Sequence, residues 1–416
     1  MKIGAAKVDI TPDLKKGAVP LWGYTERKKL PAAGVHDRTH ARAIVVSDQK
    51  GALFALVSTD ICYIASELRN GVLKRLASQG FDENNLLLAA THTHSGFGGY
   101  DRTRIARLLF GKFEKWVLDQ TIALIAQAVS EAKQAMREAT IEIGTEFVKN
   151  LNRSRLDPAF VFGDGRPGQK IQPNPEKYPV DERLTVLRIK QADNQTIAAV
   201  IHFAAHPTIL SPKNMEVSAD FPGVLCKKVE EALGDNAIAL YLNSTLGDTA
   251  PPPDWEDELS KEIAQMNEYG EKLGDAVIKA LENTRPLTGE SIFCKTLYIK
   301  APKVTLRPLK RIALPSFLSK FFYTNRNIPY QAMRIGELVL LAVPGEATTE
   351  IGKELRAMCA IGKDCLVIAP ANAYIGYIVT PKQYEDGGYA SDMCFFGPNA
   401  ITHVKDAFQK VLAQIQ

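Results

Sequence analysis

Seven histidines are spread over 416 residues, and two of them, His92 and His94, stand in the segment LLLAATHTHSGFGGY. An apolar run at 86–90 leads into Gly96, Gly98 and Gly99, so the pair falls where a buried strand gives way to a loop. On extended backbone, side chains at i and i+2 share a face, and both imidazoles can enter one cavity. Loops leaving strand ends are where sites are built. The pair fits a metal or catalytic role and equally two hydrogen-bonded polar histidines. A second segment, AVIHFAAHPTIL, places His202 inside a strand, as a core or sheet-face residue. His206 follows that strand and precedes Pro207, which holds it in extended or turn backbone. Two strands that each deliver a histidine at one end point to a divalent cation. Neutral imidazole is a common zinc ligand, and three protein ligands plus water is the usual catalytic arrangement.

A carboxylate is needed to complete such a site. Glu346, in LLAVPGEATTEIGKEL, follows Pro344 and Gly345, which predicts a place in the first turn of a helix. It reads either as a ligand or as a charge favoured by the helix dipole. Asp60, after LFALVST, and Asp248, in NSTLGDTAPPP, lie at strand ends. Each could orient a histidine or close a turn. There is no GxxxxGK[ST] phosphate loop and no GxSxG elbow. The six cysteines are scattered without a CxxC pair, as expected of buried thiols in a reducing compartment.

The elements that must position these groups read as an α/β fold. Strands are expected at 2–10, 43–47, 52–58 and 85–90, then at 140–147, 184–189, 196–203 and 238–243. Helical spacing covers 66–78, 113–139, 256–282 and 403–415, and further strands fall at 338–342 and 365–368. The expectation is mixed β-sheets covered by helices in a single large catalytic domain, 1–416. The long Pro- and Gly-rich stretch 150–179 reads as functional. The apolar, basic segment 312–322 (IALPSFLSKFF) could flank an acyl entrance, touch a membrane surface, or pack on the body of the protein. A net charge of +4 with no concentrated basic patch argues against nucleic-acid binding. No stretch is long and apolar enough for a transmembrane helix, and the N-terminus shows no signal-like apolar segment, so a cytoplasmic location is expected.

Taken in order, IGAAKVDITP, ARAIVVSD, VSTDI, THTHSGFGGY, NLNRS, FAAHPT, LGDTAP, VPGEATTEIGKELR, ANAYIGYIVTPKQYEDGGY and FGPNA resemble the neutral (alkaline, non-lysosomal) ceramidase family. The resemblance runs over nearly the whole chain, poorly at 255–335, and covers the catalytic part without the family's C-terminal immunoglobulin-like domain. It implies a zinc amidase of sphingolipid metabolism that splits the N-acyl bond of ceramide. Carried over by motif, the zinc ligands are His92, His206, Glu346 and Tyr377. His94 is then the proton-exchanging histidine beside the metal, and Arg153 faces the scissile carbonyl. Asp60, Asp248, Thr249 and Ala250 fall around the metal or in the substrate pocket. The chain departs from the family at Ala250, which stands where a serine is expected, and at Phe97 and Thr245, which replace a proline and an asparagine. Alanine has no hydroxyl, so a step needing that group is unavailable, and Thr249, one residue away on extended backbone, is expected to point elsewhere. The expected activity is zinc-dependent cleavage of an N-acylated amine, ceramide-like or smaller, with metal-activated water as nucleophile. A non-catalytic relative that only binds a ligand, and a zinc esterase or lactonase, stay open.

Overall fold

Aliphatic and β-branched runs between Gly, Asp and Asn form the strands, and the computed structural model describes residues 1–159, 172–234, 236–252, 255–304 and 327–415. The principal sheet has the order Ile238–Asn243, Thr196–Phe203, Arg183–Gln191, Arg137–Phe147, Lys2–Asp9, His40–Ser47, Leu53–Thr59, Leu86–Ala90. A short strand, Arg285–Pro286, pairs on Arg137–Phe147 off this path. A second sheet runs Ile292–Lys300, Asn327–Ile335, Leu338–Ala342, Asp364–Ile368. Both are mixed: Leu53–Thr59 and Leu86–Ala90 pair in parallel, as do Leu338–Ala342 and Asp364–Ile368, while most other neighbours are antiparallel.

The large sheet curls until its two ends touch. Ser58 Oγ donates to the Tyr241 carbonyl at 2.5 Å, and the Asn243 amide donates to the Thr91 carbonyl at 3.2 Å. The inner face of this curl is buried against the second sheet, in one apolar layer that includes Ile44, Leu56, Leu87, Leu187, Leu240, Leu340 and Ile368. Helices cover the outer faces. Ser66–Leu76 and Lys115–Gln134 bury Val72 and Ile125 on one half, and Phe221–Leu233 and Leu259–Glu282 bury Leu225 and Leu273 on the other. Thr349–Ala357 and Ala400–Leu412 cover the second sheet through Ile351 and Phe408. Among the described residues, no helix is long and apolar enough to cross a membrane.

Local expectations shift where distant pairing intervenes. The helix predicted over 113–139 ends at Gln134, and the strand expected from 140 begins at Arg137. Lys2 and Ile3 pair with Glu138 and Arg137, which draws these residues into the sheet. The helix over 66–78 gives way to a 3₁₀ turn at Ala77–Gln79, closed by Gly80 at φ +87°. The last helix begins at Ala400 rather than 403. The segment 312–322 and residues 160–171 of the long loop lie outside the described residues.

Candidate metal centre

Curling of the sheet brings together two strand ends far apart in its order. Leu86–Ala90 closes one end and delivers His92 two residues later, while Thr196–Phe203, second from the other end, delivers His206. Three bonds lock the loops to each other: Asn243 Nδ2 donates to the Thr91 and Ala205 carbonyls at 3.2 and 2.8 Å, and His94 N donates to the Pro207 carbonyl at 3.1 Å. Arg27 is buried behind His94, its guanidinium bonding the carbonyls of His94, Trp22 and Asn214. His92 adopts φ +69°, left-handed backbone that costs a non-glycine residue free energy and recurs at functional sites. Gly23 lies so close behind His94 that a Cβ would sit 2.5 Å from its Cγ.

Glu346 is not in the first turn of a helix, as its spacing predicts. It begins a two-residue strand, Glu346–Ala347, in register with Tyr377–Ile378, and the helix starts only at Thr349. The pairing puts Glu346 directly beside Tyr377. Gly247 packs on the same strand, donating its N–H to the Ala347 carbonyl, and a Cβ there would be 2.6 Å from the Glu346 carbonyl oxygen.

The four side chains His92, His206, Glu346 and Tyr377 are all buried, and ligand atoms of the first three lie within 4.8 Å of one another. His92 Nδ1 donates to the Cys62 carbonyl at 2.5 Å, and His206 Nδ1 is 3.0 Å from the Leu246 carbonyl, which turns both Nε2 atoms inward. Each Nε2 is 3.5 Å from a different Glu346 oxygen. Tyr374 donates to Glu346 Oε1. His206 Nε2 and Glu346 Oε2, both buried, have no hydrogen-bond partner among the described residues. Buried polar atoms left unpaired cost about 1–3 kcal/mol each, and both of these are electron-pair donors with no proton between them, so together they fit a cation at the point they face. The Cys62 thiol forms a second close set with His92 and His94, but that set lacks the carboxylate and both unpaired atoms.

Electrostatics follow from burial. Burial opposes charge on His92, yet the adjacent Glu346 carboxylate outweighs it and holds the imidazole up at about 10. Burial also opposes charge on Glu346, but the His92 cation and the bond from Tyr374 keep it ionised and below its usual range. His206 and His94 are pushed well down by burial and by neighbouring cations, so both are neutral at pH 7. Burial and the Glu346 charge push the Tyr377 phenol up, so it keeps its proton here. Without a cation, a proton on His92 balances the carboxylate.

His94 Nε2 is 3.3 Å from His92 Nε2, and its Nδ1 is buried with no partner among the described residues. Arg153 pairs with Ala250 in a short strand and its Nε donates to the Pro251 carbonyl at 2.9 Å. The guanidinium that touches the cluster is that of Arg155, whose Nη1 is 3.2 Å from both Tyr377 Oη and His206 Nδ1. With Nδ1 donating to Leu246, the guanidinium proton goes to the phenol. Asp60 accepts from the Arg42 side chain and the His40 N–H, and so anchors a strand rather than a metal-site histidine. Asp248 accepts the N–H and hydroxyl of Thr349, fixing the helix that follows Glu346. Thr249 Oγ1 is buried and unpaired among the described residues, and Ala250 offers no hydroxyl beside it. His202 is a core residue bonded to the Val367 carbonyl.

A cavity of about 210 Å³ opens beside His92, His94, Glu346 and Tyr377, with apolar walls from Ile64, Ile105, Leu109, Phe110 and Phe395. Tyr374, Arg27, Asn243 and Arg155 were not singled out by sequence. Tyr374 is the other tyrosine of NAYIGY and so had a local signal, whereas Arg155 stands in a turn just after the short strand Arg153–Ser154.

A buried His–His–Glu cluster at the closed ends of a mixed sheet, opening on an apolar cavity, defines a hydrolase scaffold with a candidate metal centre. The chain belongs to the neutral/alkaline non-lysosomal ceramidase family, whose N-terminal profile matches residues 1–254 and 275–406. The unmatched stretch between these blocks, 255–274, is narrower than the poorly matching 255–335 expected from sequence. The neutral ceramidase of Drosophila melanogaster is 23% identical over 99% of this chain and 74% of its own length. That of Mycobacterium tuberculosis is 25% identical, over 95% of this chain and 74% of its own. The crystal structure of the Pseudomonas aeruginosa neutral ceramidase superposes with a TM-score of 0.85 at 20% identity, covering all of this chain and 73% of that one, which establishes the fold.

Proposed function

We propose that this ceramidase-family chain is a zinc-dependent amidohydrolase that cleaves an N-acylated amine, held at its acyl end by the apolar cavity. The observation that carries the reading is the pair of unpaired buried atoms, His206 Nε2 and Glu346 Oε2, aimed at one point beside His92 and Tyr377. Imidazole nitrogens with a carboxylate and a phenol oxygen are donors suited to zinc. When bound, the ion supplies Lewis acidity to polarise an amide carbonyl and to activate water.

The chain's own groups supply the rest. His94, neutral and with its Nε2 turned to the cluster 3.3 Å from His92 Nε2, can take a proton from the attacking water and return it to the leaving amine. A guanidinium from the Arg153–Arg155 segment offsets the charge that develops on the carbonyl oxygen. The cavity walls exclude water around the acyl group. Ala250 contributes no donor, so the reaction proceeds without a hydroxyl at that position.

Purified protein is expected to hold about one zinc per chain. Chelation should abolish hydrolysis of N-acyl amines, and added zinc should restore it. Fully metallated protein that leaves both ceramide and shorter N-acyl amines intact would overturn the reading.

A further inference from the structure

Arg155 follows the short strand Arg153–Ser154, and its backbone N–H is fixed by the Asp248 carbonyl at 2.7 Å. Its half-buried guanidinium spends one nitrogen on the cluster, at Tyr377 and His206, and lies over the Tyr389 ring at 5.8 Å. Several other arginines held in this protein face a carboxylate, Arg42 on Asp60 at 2.6 Å and Arg183 and Arg356 on Asp181 at 2.9 Å, while Arg27 and Arg69 use their nitrogens on carbonyl, amide and phenol oxygens. Arg155 has no carboxylate within 4.0 Å among the described residues, and its Nε and Nη2 bond none of them. A planar guanidinium with a free edge matches a carboxylate in two parallel hydrogen bonds.

Tyr377 and Tyr389, which Arg155 touches, also line the apolar cavity. An amide whose acyl chain fills that cavity and whose carbonyl lies at the cluster presents its amine-side substituent to this edge. We infer that Arg155 receives a carboxylate there, so that the substrate class is an N-acyl amino acid, acyl chain in the cavity and α-carboxylate on the Arg155 fork. The carboxylate is two bonds from the scissile nitrogen, which suits a guanidinium that contacts two of the metal-site side chains. A neutral amino alcohol leaves the same fork unmatched. This rests on the amidase reading for cleavage, while recognition of the carboxylate is separately measurable.

The test compares N-octanoylglycine with N-octanoylglycinamide, which differ only in charge at that edge. Calorimetric binding to the protein and hydrolysis by the zinc-loaded protein should both favour the acid, by about 10- to 100-fold, the worth of a charge-assisted bond. In R155Q the acid-to-amide ratio should collapse toward one in both assays. A guanidinium that only positions Tyr377 would instead weaken both ligands alike and leave the ratio standing. A wild-type ratio at or below one, or a ratio unchanged in R155Q, overturns the inference. Preferred binding of the acid with neither compound cleaved supports the carboxylate fork and sinks the amidase reading alone. The wild-type comparison keeps the test decisive even where R155Q fails to fold.

Discussion

Zinc affinity should climb with pH, because a proton occupies the metal-free cluster where a cation would balance Glu346. His92 holds its proton up to about 10, since the buried carboxylate outweighs desolvation. Zinc needs that imidazole neutral, and displacing a proton three pH units below its pKa costs about 4 kcal/mol at pH 7. The sign is fixed: affinity rises about tenfold per pH unit while His92 remains protonated, and levels off above about 10. His206 and His94 add nothing above pH 6.5, because burial and nearby cations keep them neutral there. If Tyr377 enters as phenolate it adds a second proton and steepens the line by one. The assay is competition against a chromophoric zinc chelator of known pH dependence, at pH 6.5, 7.5 and 8.5. Glu346→Gln weakens binding overall and lowers the slope by one, because the anion that holds the proton is gone. A flat wild-type line, or a slope unchanged in Glu346→Gln, would refute the electrostatic account of the site.

Two further outcomes follow from the supports around the cluster. Burial raises Asp248 to about 6, above its unfolded value, so folding is penalised by up to about 3 kcal/mol once pH exceeds 6, and the penalty shrinks as pH falls from 6 to about 4, below which both states are protonated and it is gone. Asp248→Asn keeps the acceptor for Thr349, so thermal unfolding should show a higher Tm than wild type at pH 8 and a smaller gain at pH 4.5. Asn243→Ala strips partners from the Thr91 and Ala205 carbonyls and the Ala205 N–H, costing roughly 2–4 kcal/mol in urea unfolding, with a weaker zinc affinity as the His92 and His206 loops separate.

The histidine geometry was legible because it is local. A strand that ends in THTH, and one that ends in HPT, fix both imidazoles within a few residues of a period-2 run. Glu346 was found, but its backbone state was misjudged, because a strand of two residues exists only through its partner at Tyr377 and carries no periodicity of its own. Tyr377 came from family resemblance alone; an aromatic in a loop reads like any other. Arg155 and Asn243 act through closure of the sheet and through the register of Arg153–Ser154 with Thr249–Ala250, contacts between distant segments that no window of sequence encodes. The boundary near Arg137 was misplaced for the same reason, since its pairing partners are residues 2 and 3.

The seam where the large sheet meets itself has a kinetic meaning. One candidate ligand histidine hangs from each side of it, and the carboxylate and phenol come from the separate two-stranded pair Glu346–Ala347 and Tyr377–Ile378, so an N-terminal portion that stops short of residue 346 lacks half the donor set. An ion held there would rivet parts that are distant in sequence, whose non-local contacts are slow to form. If those contacts form after the transition state, such an ion would slow the opening of the finished molecule far more than it would speed its assembly.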